Sequence, residues 1–117
     1  MIDFGRKAMS EVMEVARQMH GAIDALKLEG QRSEELIELK ARTTMAYKTA
    51  RATEAVRARD GGMAVSMLKH HAEGASSEEE YAMIVATETL KAHWIRMENL
   101  RSQLNGLQSI NRHLSVT

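Results

Sequence analysis

Between Leu90 and Leu114 the chain places Leu90, His93, Met97, Leu100, Leu104, Leu107, Asn111 and Leu114 at alternating intervals of three and four residues. This spacing keeps one face of an α-helix turned toward a partner, the heptad seam of a coiled coil. Nothing in the chain opposes helix. No proline occurs in its 117 residues, where average usage of roughly 5% would supply about six. Strong helix formers are abundant, and the aromatic residues favoured in strands are confined to Phe4, Tyr47, Tyr81 and Trp94. The expected fold is therefore all-α.

Three clusters punctuate the pattern: Glu29-Gly30-Gln31-Arg32-Ser33, Asp60-Gly61-Gly62 and Gly74-Ala75-Ser76-Ser77. They divide the chain into helices of about 4–28, 34–59, 63–72 and 78–113, three long and one short, in a single domain spanning 1–117. The first helix has Asp3 as a candidate N-cap and an apolar stripe through Met9, Val12, Ala16, Met19, Ile23 and Leu26. Acids Glu34, Glu35 and Glu38 open the second helix, and Arg57 and Arg59 close it, in keeping with the helix dipole. The last begins at Ser77, with Glu80 at capping-box spacing. At about 36 residues it should extend about 54 Å, against a diameter of roughly 35 Å for a compact domain of this size. An elongated helical bundle with a long, coiled-coil-like C-terminal helix follows.

The seam divides this helix in two. Ile84 and Ile95 lie almost opposite the seam and Trp94 lies beside it, so residues 81–97 are apolar on two sides, as expected inside a bundle. Residues 98–114 keep only the narrow stripe, which makes Leu100, Leu104, Leu107, Asn111 and Leu114 the candidate interface. In a parallel homodimer Arg96 at position g would oppose Arg101 at position e, a like-charge pair. Antiparallel packing avoids that conflict, either in a dimer, which is favoured, or by docking on the first two helices. Asn111 reads as a register-setting polar seam residue or as the solvated helix end. A lone histidine in an apolar seam, His93, is expected to be neutral and hydrogen-bonded.

A second candidate surface lies on helix two. Lys40, Arg42, Lys48, Arg51, Arg57 and Arg59 face a single acid, Glu54, over twenty residues. Of these, Lys40, Lys48, Arg51 and Arg59 share one side, with Tyr47 at its edge. Such a row suits a nucleic-acid backbone, with the aromatic available for stacking. It equally suits a solvated face paired with acids such as Glu78, Glu79 and Glu80. The same helix is rich in Ala and Thr, which favours close packing against neighbours over entry into a groove of DNA.

Other chemistries find little support. The absence of cysteine excludes disulfides, thiolate metal sites and thiol nucleophiles. Neither Glu-x-x-His nor His-Glu-x-x-His occurs, and adjacent His70 and His71 point about 100° apart on a helix. Met63, Met67 and His71 could share a face as a soft copper(I) set, but a core stripe explains them as well. Gly61-Gly62 lacks the rest of a phosphate loop. No cofactor or metal is expected, and no enzymatic activity. Sixteen basic residues balance sixteen acidic ones, so no global field draws the chain to nucleic acid or lipid. With no apolar run near the length of a membrane span and no secretory signal, a soluble cytoplasmic protein is expected. The sequence points to an oligomerisation or protein-interaction module, an adaptor, assembly factor, chaperone or inhibitor, acting through the exposed half of the C-terminal helix. Nucleic-acid binding through helix two is the alternative.

Overall fold

A computed structural model describes residues 4–116. It is all-α, with α1 at Phe4–Asp60, α2 at Val65–Ala75 and α3 at Ser77–Val116. The proposed N-cap Asp3 lies outside the described residues.

The expected break at residues 29–33 does not exist, and the first two predicted helices are one element, α1. Gly30 disfavours helix by about 1 kcal/mol relative to Ala. The packed face, however, continues through it: Val12, Val15, Met19, Ala22, Leu26, Glu29, Ser33 and Leu36 are half-buried or buried at unbroken 3-4 spacing. That stripe also corrects the one read from sequence. Both heptads share Val12, Met19 and Leu26, and Ile23 of the expected stripe is half-buried too, but the chain also packs Val15 and Ala22, leaving Met9 62% exposed and Ala16 open. The register that wins is the one that brings Glu29 to the seam of α3.

The end of α1 follows from its glycines. The amide of Gly62 bonds the carbonyl of Arg59, and that of Met63 bonds Ala58, each at 3.0 Å, while Gly62 takes φ +92°. This is a Schellman cap, with glycine where a Cβ would be strained. Since α2 starts only at Val65, Met63 sits in the turn, so Met63, Met67 and His71 do not form one helix face. Between α2 and α3 the break narrows to Ser76, which is fully buried. Its hydroxyl donates to Ala72 O at 2.6 Å and its carbonyl accepts the amide of Glu80, so Ser76, not Ser77, occupies the cap position of α3.

The chain forms two compact units. One comprises the described parts of Met1–Arg32 and His93–Thr117, the other Ser33–Ala92. The first is an antiparallel helix pair: Glu29 meets His93 and Arg96, Met19 borders a cleft with Gln108 and Asn111, and Val15 borders one with Ile110 and Leu114. Its buried apolar residues are Ala22, Met97 and Leu107. In the second unit α2 returns along α1, with Leu68 and Ala72 against Ala52 and Ala55, whose small side chains permit close approach. Arg51 bonds Glu73 at 3.4 Å, and His71 lies 3.7 Å from Glu54. Leu36, Ala72, Ala86 and Leu90 form its buried apolar set.

Both cores are thin. Among the described residues seven apolar side chains are buried, whereas fifteen large ones are exposed. The two-sided burial expected for residues 81–97 is not observed: Tyr81, Ile84, Val85, Trp94 and Ile95 are all open. Each unit supplies one neighbour for a helix that carries apolar residues on two sides.

Candidate protein-interaction surface

The seam of α3 is the packed face of that helix. Leu90, His93, Met97 and Leu107 are buried, and Leu100, Leu104, Asn111 and Leu114 are half-buried. Of the residues read as an interface, Leu114 and Asn111 border α1 of the same chain. Antiparallel docking onto the N-terminal helix thus occupies the stripe that a second chain would otherwise cover.

At one end of this pair the seam is polar. His93, 1% exposed, places Nδ1 2.9 Å from Glu29 Oε2, and Arg96 donates from Nη1 to Glu29 Oε1 at 3.0 Å. Arg32 adds a more distant charge at 3.7 Å. An ionised carboxylate only accepts, so Nδ1 of His93 carries the proton and donates. The hydrogen bond from Arg96 above all, opposed by burial and helped by His93, holds the Glu29 carboxyl below its ordinary value of 4.5. Among the described residues every fully buried side-chain polar atom has a partner. His93 is hydrogen-bonded, as its position in the seam implies, but its partner was hidden in the segment read as a loop. The 3-4 continuation from Val15 through Ala22 to Glu29 is the signal that could have located it.

Two surfaces of the second unit remain open. On α3, Tyr81, Ile84 and Val85 project away from the buried face that contains Ala86 and Leu90, and are 71%, 48% and 45% exposed. Glu78 and Glu88 lie on the same side, Glu88 in an exposed pair with Lys91 at 3.3 Å. The second surface is a groove on α1. One stretch, of about 390 Å³, has Ile37, Ala41, Thr44 and Met45 along α1 and Leu90 opposite. The next, of about 310 Å³, is floored by Ala52 and Ala55, with Leu68 and Ala72 across from them. Lys48 lines both, so the two stretches adjoin along α1. The Thr44 hydroxyl is satisfied by Lys40 O at 2.7 Å and leaves no unmet donor in the floor. Lys40, Lys48 and Lys69 line the rim, and none forms an ion pair among the described residues.

The basic row of α1 is divided by this arrangement. Arg51 is paired with Glu73, and Arg59 lies 3.9 Å from Asp60. Arg42 and Arg57 are held by Glu38 and Glu54. The partners are these acids, not Glu78, Glu79 and Glu80. Lys40 and Lys48 stay unpaired, and Tyr47 is half-buried, which removes it as an open stacking platform. No group of three or more His, Asp or Glu side chains among the described residues could hold a metal ion, and none of the described helices is long and apolar enough to cross a membrane.

Comparison with known protein families, with curated proteins and with solved structures found no match.

Proposed function

We propose that this chain is a protein-interaction module, not an enzyme, that works by joining protein chains and associates with copies of itself. The observation that carries this reading is the open apolar face of α3, Tyr81, Ile84 and Val85, on the side of the helix opposite its packed seam. A helix apolar on two sides belongs between two neighbours, and here the chain itself provides one. The second neighbour is another protein surface. The binding face thus shifts from the seam residues Leu100 to Leu114, which serve the chain's own helix pair, to the opposite side of the same helix farther toward its N-terminus. Adaptor, assembly-factor, chaperone and inhibitor roles all operate through such a face.

The nucleic-acid alternative is weaker, because only Lys40 and Lys48 of its four cations are unpaired and its aromatic is half-buried. Sedimentation velocity across the micromolar range tests the proposal. The wild-type chain should associate with rising concentration, and Tyr81→Asp with Ile84→Asp should abolish association while leaving helicity intact. Undiminished association in that variant would refute the assignment of the face.

A further inference from the structure

We infer that the acidic apolar face of α3 in one copy seats in the basic groove of α1 in the next, so that copies join head to tail. This rests on reading the chain as an interaction module and specifies which surface of a second copy meets the face. The two surfaces complement each other in three respects. The groove runs from Ile37 to Ala55, eighteen residues or about 27 Å of helix, and the face from Glu78 to Ala92 spans about 21 Å. The face is short enough to lie within the groove.

Shape matches as well. Ala41, Thr44, Ala52 and Ala55 keep the floor low enough for a helix to approach closely, while Tyr81, Ile84 and Val85 supply the large side chains to fill it. Charge is the third respect. The Arg51–Glu73 pair neutralises one cation, leaving Lys40, Lys48 and Lys69 on the rim. The face carries Glu78 and Glu88, and the exposed Glu88–Lys91 pair is weak enough to exchange partners. Lys40 and Lys48 are about 12 Å apart along their helix and Glu78 and Glu88 about 15 Å along theirs, a difference within the reach of lysine side chains. A two-fold contact of α3 upon α3 would instead set two acidic faces together and leave the groove and its lysines empty.

The face lies on the side of α3 away from its packed seam, whereas the groove lies between helices, so a single contact leaves one groove and one face unfilled. Such a heterologous contact propagates into rings or filaments and does not stop at a dimer.

Charge reversal and its rescue test the inference. The groove variant is Lys40→Glu with Lys48→Glu, the face variant is Glu78→Lys with Glu88→Lys, and the readout is average mass by sedimentation equilibrium. The wild-type mass should climb past that of a dimer and fall with added salt. Each variant alone should associate at least about tenfold more weakly, because like charges then meet. An equimolar mixture should recover association, since each reversed surface finds its complement. Circular dichroism verifies folding; if either glutamate or lysine set lowers helicity, the glutamine versions of the same positions should still weaken association.

A mass that plateaus at the dimer and is indifferent to the groove variant would overturn the groove while leaving self-association standing. Failure of the mixture to recover would show that these charges do not meet. A wild-type chain that stays monomeric throughout would remove self-association itself, and with it this inference. Duplex DNA binding that is lost in the groove variant, with association unchanged, would reassign the lysines to phosphate.

Discussion

Gly30→Ala separates the continuous α1 from two helices joined by a turn, because the two arrangements give opposite signs. Within a helix, alanine is favoured over glycine by about 0.8–1.0 kcal/mol. A Cβ built at Gly30 meets nothing within 4 Å, so no steric term offsets this gain. The expected stabilisation is therefore about 1 kcal/mol, or a rise in Tm of roughly 4 °C for a chain of this size. Gly62 serves as the control. At φ +92° in the Schellman cap, an alanine adopts the left-handed region at a cost of about 1–2 kcal/mol, so Gly62→Ala should lower Tm by a comparable amount. Thermal unfolding followed by far-UV circular dichroism measures both. A lower Tm for Gly30→Ala would mean that residues 29–33 turn and that the packed stripe does not continue through Glu29.

Three further outcomes follow from the packing. Glu29 has a folded pKa held below 4.5, so its contribution is present above the unfolded value and is lost as pH falls through the lower folded one; acid titration should destabilise wild type more steeply below about pH 4.5 than Glu29→Gln. Leu107, 7% exposed in the seam, should cost about 2–4 kcal/mol on replacement by Ala, measured by urea unfolding. Ser76→Ala removes a buried hydroxyl bonded to Ala72 O and should cost about 1 kcal/mol in the same assay.

Much of this architecture is legible in the amino-acid order. The lack of proline, the 3-4 spacing from Leu90 to Leu114 and the Gly61-Gly62 pair identify an all-α chain, the packed face of its last helix and the end of α1. Gly30 misleads because Glu-Gly-Gln-Arg-Ser is locally indistinguishable from a turn. Its helix carries Glu29 onto His93, 64 residues away, a tertiary contact to which local spacing is blind. The stripe of α1 misleads for a related reason: two heptads share Val12, Met19 and Leu26, and only the partner helix selects between them. Ser76 shows how small a break suffices when its hydroxyl and carbonyl satisfy both helix ends. The open side of α3 lies deeper. Periodicity shows that Ile84 and Ile95 call for a cover opposite the seam, yet it is silent on whether the cover belongs to the same chain.

The opposite face of α3 is free for other copies only if α1 of the same chain closes the α3 seam. The chain has no cysteine, so Met19→Cys with Asn111→Cys introduces the only reactive pair, at residues that border one cleft. Chains of two isotopic compositions can be mixed, unfolded and refolded together, bridged with a short bis-maleimide and analysed by mass spectrometry. Bridges should form within single chains, each of one isotopic composition. Bridges joining light to heavy chains as the dominant product would contradict this, because the seam would then be the interface between copies.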